Sequence, residues 1–177
     1  MPAGDRKLRT HELGRPAPAD LHALPRRPVR VLLDDVRSRH NVGSVFRTAD
    51  AFAIEGITLC GFTPLPPHRE IEKTALGATA TVPWDHAPEA VAAVRQLQAR
   101  GYRVLAVEQT LQATPLTDLA HPPGGPLALV FGNELHGVGD AVIEACDGCL
   151  SIPQQGAKHS LNVSVCAGVV LWWFAGR

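Results

Sequence analysis

A chain of 177 residues with 45% apolar side chains is one domain by length, with room for a substantial core. Lys plus Arg and Asp plus Glu balance at 17 each, which excludes bulk electrostatic attraction as the basis for holding a polyanion. A charged, Pro-rich start without an apolar run, a final apolar helix too short to span a bilayer comfortably, and four cysteines without an export signal lead to the expectation of reduced thiols and a buried last helix, against a secreted disulfide framework or a membrane span. The expected location is the cytoplasm.

The balance of charge hides an asymmetry. Residues 1–47 carry ten Arg or Lys against five Asp or Glu, and the remainder seven against twelve. The basic part includes Arg26, Arg27, Arg30, Arg37, Arg39 and Arg47, and suits either a polyanion-facing end or a solvated arm. Cys146 and Cys149 form a C-x-x-C, but no second ligand pair stands at zinc spacing. They read as small packing residues, and no metal is expected.

Residues 1–28 contain five prolines and read as a mostly irregular arm, with one helical turn over 19–23. The domain proper spans 29–177. Val29–Val36 is a β-rich apolar run, a buried strand with Asp34, Asp35, Arg37, Ser38 and Arg39 at its carboxyl end. Asn41 is expected to cap a helix in which Val42, Val45, Phe46, Ala49 and Phe52 recur at helical spacing. A strand over 57–61 precedes a long connection, 62–79, with three prolines and with His68, Arg69 and Lys73. Such length inside a compact domain marks a functional or mobile segment. A strand over 81–84, an amphipathic helix over 88–100 closed by Gly101, and a buried strand over 102–107 ending at Glu108 follow. Residues 111–125 read as a loop.

Leu127–Phe131 is a buried strand that breaks at Gly132-Asn133-Glu134. A helix over 138–145, a short strand over 149–153 and a polar loop over 154–159 lead to Ser160-Leu161-Asn162, which opens a final helix apolar on most of its surface. The alternation predicts an α/β fold, a mostly parallel sheet with helices on both faces. Ligands of such sheets sit outside the carboxyl ends of the strands. There the chain places a carboxylate, Glu134, after one strand and a hydroxyl and an amide, Ser160 and Asn162, after the next. Each residue also has a plainer reading: Glu134 as a helix-start carboxylate, Ser160 or Asn162 as a helix cap, Arg47 as a surface cation. No dinucleotide-binding or Walker phosphate loop is present.

Three stretches in order carry a resemblance: Asn41-Val42-Gly43-Ser44-Val45-Phe46-Arg47; Phe131-Gly132-Asn133-Glu134 with Gly137, followed by Ile152-Pro153-Gln154-Gln155-Gly156; and Ser160-Leu161-Asn162-Val163-Ser164. Together they resemble the motifs of the SPOUT methyltransferases, specifically the TrmH-like ribose 2′-O-methyltransferases, over nearly all of 29–176. The resemblance implies a C-terminal deep trefoil knot, a feature almost absent from other folds. It also implies S-adenosylmethionine as cofactor, RNA as substrate, and a homodimer whose active site draws on both chains. The catalytic set it implies is Asn41, Arg47, Glu134, Ser160 and Asn162. The matching cofactor positions are Glu108, Leu129, Val130, Phe131, Gly132, Ile152, Pro153, Gln154, Ser160 and Leu161, with Gln154 departing from the Met often found there.

The expected RNA contacts are Arg37, Arg39, Arg47, Arg69 and Lys73. The resemblance implies a catalytic role for Arg47, often as the base; because a guanidinium stays protonated near neutral pH, clamping a phosphate beside the target ribose is the expected role, with base action left to a strongly perturbed site. Glu134 is expected to orient Arg47 or to help accept the hydroxyl proton. Transfer RNA is favoured over ribosomal RNA, since the sequence shows no added RNA-binding domain. Two readings stand beside this one: a non-catalytic RNA-binding relative, and a small-molecule or nucleotide-binding α/β protein. A last helix apolar all round needs cover on every side, which predicts a second copy packed on it and on the first-motif helix.

Overall fold

The computed structural model describes residues 6–14, 25–119 and 124–176. Its strands are β1 (Arg27–Asp34), β2 (Ile54–Cys60), β3 (Trp84–Ala87), β4 (Arg103–Val107), β5 (Thr114–Pro115), β6 (Leu127–Phe131) and β7 (Gly148–Ser151). They form one seven-stranded sheet in the order β3-β2-β1-β6-β4-β7-β5. Every neighbouring pair is parallel. The helices are α1 (Arg39–Ala51), α2 (Arg69–Ala75), α3 (Ala90–Ala99), α4 (Asp140–Ala145) and α5 (Val163–Ala175).

Alternation along the strands divides the core into two layers. Val29, Val31 and Leu33 of β1 and Leu127, Leu129 and Phe131 of β6 face one side, where α1 contributes Val42, Val45 and Phe46 and α5 contributes Val170, Leu171 and Phe174. Leu32, Ala128 and Val130 face the other side, against Ala93, Val94 and Leu97 of α3 and Val142 of α4. A strand buried on both faces carries apolar side chains at odd and even positions alike, which is why these runs are continuous in sequence. The α/β expectation is met. Cys146 and Cys149 pack against the second layer as free thiols. Burial, with Cys149 and Asp147 close by, pushes the Cys146 thiol up to about 12.

Several boundaries differ from those expected. The cap of α1 is Ser38, whose Oγ accepts from the Asn41 N–H at 3.3 Å, so Asn41 lies inside the first turn and its side chain is not spent on capping. β2 starts three residues early, at Ile54, after Ala53 takes a left-handed φ of 49°. The long connection contains α2, opened by His68 and ended by Leu76 and Gly77, both at positive φ. Seven residues behind three prolines are too few to display a helical period. β3 lies later than expected, at Trp84–Ala87, as an edge strand with exposed Asp85 and His86, while Val82 is buried from the preceding turn. The expected loop over 111–125 holds the two-residue β5. The turn expected over 19–23 lies outside the described residues.

Part of the basic N-terminal charge is structural. Arg30 is buried beneath the α3 side of the sheet, 2.9 Å from Asp85 and 3.4 Å from Glu55. Arg26 donates to the backbone oxygens of Ile54 and Thr81. Neither is available to a polyanion.

Candidate active site

The carboxyl ends of β4, β6 and β7 surround a cavity of about 500 Å3. A volume of this order suits a nucleoside-sized ligand. Its walls come from three turns: Val107–Gln109 after β4, Phe131–Gly137 after β6, and Ser151–Val163 between β7 and α5.

The turn after β6 is built around Asn133. Its Nδ2 donates to the Asp35 carbonyl at 2.7 Å, and its Oδ1 accepts from the N–H groups of Leu135 and His136 at 2.9 and 3.2 Å. Asn133 and Gly137 also exchange two backbone hydrogen bonds of 2.9 Å. This doubling-back leaves no room at Gly132, where a Cβ would fall 2.1 Å from the Gly137 carbonyl carbon. Glu108 pins the same turn from β4: Oε2 accepts from the Val138 N–H at 3.0 Å and Oε1 from the Gln109 N–H at 2.8 Å.

Glu134 faces the loop between β1 and α1. Its carboxylate accepts from the N–H groups of Arg37 and Ser38 and from the Asn41 side-chain amide, each at 2.9 Å. Asn41 in turn accepts, through Oδ1, from the Asn162 side-chain amide at 3.1 Å. Asn162 uses its own Oδ1 to cap α5, taking the Ser164 N–H at 2.9 Å and the Val165 N–H at 3.4 Å. The polarity of this chain is forced. A carboxylate at one end accepts only and helix N–H groups at the other end donate only, so each amide between them has one allowed orientation. Burial would raise the Glu134 pKa, but the donors at Arg37, Asn41 and Ser38 outweigh it and hold the carboxyl below its ordinary value.

Asn41, Glu134 and Asn162 therefore meet as a bonded set, and Ser160 lines the cavity beside them. Arg47 does not join them. It lies six residues beyond Asn41, about 9 Å along the helix axis, and its exposed side chain has no bonding partner among the described residues. The expected Glu134–Arg47 pairing is absent within the chain, because Glu134 spends its oxygens on the β1–α1 loop.

Of the expected cofactor positions, Glu108, Phe131, Gly132, Ile152, Gln154, Ser160 and Leu161 line the cavity. Leu129 and Val130 do not; both are wholly buried within β6. Pro153 is exposed and outside the lining. The sequence reading passed over Gln109, Asn133, His136, Gly137 and Cys166, all of which contribute to the walls. The Cys166 thiol is pushed up to about 11 by burial and by Glu108 nearby.

Arg37, Arg69 and Lys73 expose their side chains, and Arg39 approaches Glu70 of α2 at 3.6 Å. The Thr74 hydroxyl donates to the His40 carbonyl at 3.0 Å, fixing α2 on α1. Gly43 permits that packing: a Cβ there would fall 2.1 Å from Thr74 Oγ1 and 2.2 Å from the Ile71 oxygen. Among the described residues no group of His, Cys, Asp and Glu is placed to hold a metal, and no helix is long and apolar enough to cross a membrane.

Comparison with known proteins agrees with this arrangement. Residues 28–172 match the SpoU rRNA Methylase family. A curated 23S rRNA (guanosine-2′-O-)-methyltransferase RlmB from Ralstonia nicotianae is 34% identical over 146 residues, 82% of this chain and 57% of that protein. The chain thus spans a little over half the length of that relative. The AdoMet-bound rRNA methyltransferase of Sinorhizobium meliloti superposes with a TM-score of 0.77 at 28% identity, over 86% of this chain and 58% of that one. A structure solved to study the 2-OH methylation of C/U34 on tRNA superposes with a TM-score of 0.72 at 25% identity, over 82% of this chain and 94% of that one. With the family matched over residues 28–172 and one residue of each motif joined at the carboxyl edge of the sheet, the chain belongs to the SpoU rRNA methylase family.

Proposed function

We propose that the cavity binds S-adenosylmethionine and that the chain methylates a ribose 2′-hydroxyl of RNA. The observation that carries this reading is the bonded chain Glu134–Asn41–Asn162, which joins all three motifs at the mouth of the cavity. The residues fit the cofactor. Phe131, Leu150 and Ile152 offer apolar wall, and Gly132 and Gly137 bring backbone close where any side chain would intrude. AdoMet in the Sinorhizobium neighbour supports the same assignment.

When bound, S-adenosylmethionine supplies a methyl carbon whose bond to sulfur breaks with the electron pair retained by sulfur. The ribose oxygen provides the pair for the new C–O bond, and its proton passes to solvent. Asn41, fixed in one orientation, positions the hydroxyl. Arg47, with its guanidinium unengaged, clamps the neighbouring phosphate. Glu134 acts as the anchor of Asn41. Its lowered pKa and three donors make it a weak proton acceptor. Residues 29–177 form the catalytic unit in this reading, joined by Arg27 and Pro28 at the start of β1, with the rest of 1–28 as an arm, the C-terminal segment knotted and the site of action cytoplasmic.

A second copy completes the assembly. Val165, Val169 and Trp172 recur along one face of α5 and are 53%, 39% and 47% exposed, while Val170, Leu171 and Phe174 are buried in the chain's own core. An apolar stripe at this spacing suits a twofold dimer.

The test is methyl transfer from labelled S-adenosylmethionine to separate transfer and ribosomal RNA pools from cells lacking the gene, followed by nuclease digestion and mass spectrometry. A 2′-O-methylnucleoside made by the wild type and not by Arg47→Ala is the expected result, and the labelled pool names the substrate. Cofactor binding with no transfer to either pool would overturn the catalytic reading.

A further inference from the structure

We infer that Gln109 is a latch for the loop between β7 and α5, and so a positioning residue for the cofactor; the second clause rests on reading the cavity as the S-adenosylmethionine site. Residues 153–162 are all exposed, yet Gln154, His159, Ser160 and Leu161 form one wall of the cavity. Among the hydrogen bonds of the described residues, one reaches the segment 152–161. It runs from the side-chain amide of Gln109 to the His159 carbonyl, at 2.7 Å across fifty positions of sequence. A wall with so few ties opens readily unless that bond holds it.

The latch stands on a rigid base. Gln109 is the second residue beyond β4, and its N–H donates to Glu108, whose other oxygen holds the Val138 N–H. Two consecutive side chains at the end of β4 thus grip the other two walls of the cavity. A peptide unit is planar and trans, so turning the His159 carbonyl onto Gln109 also fixes the Ser160 N–H, which points the opposite way. The chemistry is specific to the amide. A carbonyl needs a donor, and a carboxylate of the same shape has none.

The experiment compares wild type, Gln109→Ala and Gln109→Glu. Each is measured for trypsin cleavage after Lys158 without cofactor, for S-adenosylmethionine affinity by calorimetry, and for melting temperature. Because the bond is exposed, both variants are expected to melt as the wild type does. Cleavage after Lys158 is expected to quicken about fivefold and affinity to weaken by a similar factor, the scale of one solvent-competed hydrogen bond. In the methylation assay KM for S-adenosylmethionine rises while kcat and KM for RNA hold. Wild-type cleavage and affinity in both variants would overturn the latch, as would wild-type behaviour in Gln109→Glu alone, since that change removes only the donor. A wild type that binds no S-adenosylmethionine would overturn the cofactor reading, and the cleavage rates would still decide the latch.

Discussion

Asn41 and Glu134 lie ninety-three positions apart in sequence and 2.9 Å apart at the rim of the cavity. The same carboxylate holds the backbone of Arg37 and Ser38, so one side chain sets both the shape of the β1–α1 loop and the direction of the Asn41 amide. Asn162 then has no choice of rotamer sense, because the Asn41 oxygen faces it. What reads as three separate motifs is one polar network, strengthened by mutual polarisation.

Glu134→Gln tests the anchor. The substituted amide presents two N–H donors toward groups that are themselves donors, so one bond becomes a repulsion and the loop shifts. We expect kcat to fall about 10²-fold, the scale of a 1 Å misplacement of a reacting group, with little change in affinity for the cofactor. The pH dependence follows from the sign of the shift. Glu134 titrates below its ordinary value of 4.5 in the folded state. Its contribution is therefore present above that value and is lost as pH falls through the lower, folded pKa. The gap in melting temperature between wild type and Glu134→Gln should narrow on that acid limb and stay constant above it.

Asn162 has two duties that substitution can separate. Asn162→Ala removes the cap of α5 and should cost about 1 kcal/mol of stability in denaturant titrations. Asn162→Asp keeps an acceptor for the Ser164 and Val165 N–H groups, and carboxylates favour helix N-termini. It loses the donor to Asn41, however. Asn162→Asp should therefore melt close to the wild type while losing most of its kcat; equal activity of wild type and Asn162→Asp would show that the Asn41–Asn162 bond is idle.

The legible parts of this fold were those that alternate or break sharply. β6 could be read to the residue because five apolar positions stop at Gly132, and Glu134 and Asn162 stood out because both follow such stops. Ser38 and Asn41 are both good caps, and only packing decides between them. α2 was hidden because seven residues after three prolines carry no period, and β3 because an edge strand bears exposed polar side chains. Leu129 and Val130 look in sequence like a strand's functional end, but the cavity opens on the turn beyond the strand, where Asn133, His136 and Gly137 stand. Arg30 shows the same limit for charge: an arginine buried against Asp85 and Glu55 reads in sequence like any surface cation.

Gly43 sits in the first motif for a reason of packing. Gly43→Ala would press a methyl group against Thr74 and the Ile71 carbonyl, and backbone cannot yield as a flexible side chain does. A loss of about 1–3 kcal/mol is expected, measured by denaturant unfolding. Because α2 carries Arg69 and Lys73, RNA affinity should fall more than affinity for the cofactor.

Arg47 separates binding from stability. Its side chain is exposed and has no bonding partner among the described residues, so Arg47→Ala should leave stability within about 0.5 kcal/mol. Loss of one phosphate contact should reduce the salt dependence of RNA binding by about one in the log–log slope. A variant that binds RNA with the wild-type slope would remove Arg47 from the phosphate-clamping role.

The exposed face of α5 makes the last prediction. Val165, Val169 and Trp172 lie at spacings of four and three, one side of a helix whose other side is already buried. A charge at the middle of that stripe should cost little inside a single chain, because Val169 is 39% exposed there. Across a twofold interface it would bring two like charges into an apolar contact, which is strongly unfavourable. Val169→Asp should therefore convert a dimer to a folded monomer in light scattering. If Arg47 of one copy serves the cavity of the other, in keeping with its standing outside the Glu134–Asn41–Asn162 set of its own chain, methyl transfer should vanish in that monomer while S-adenosylmethionine binding is weakened less. A wild type that is monomeric at micromolar concentration and fully active would refute the shared site.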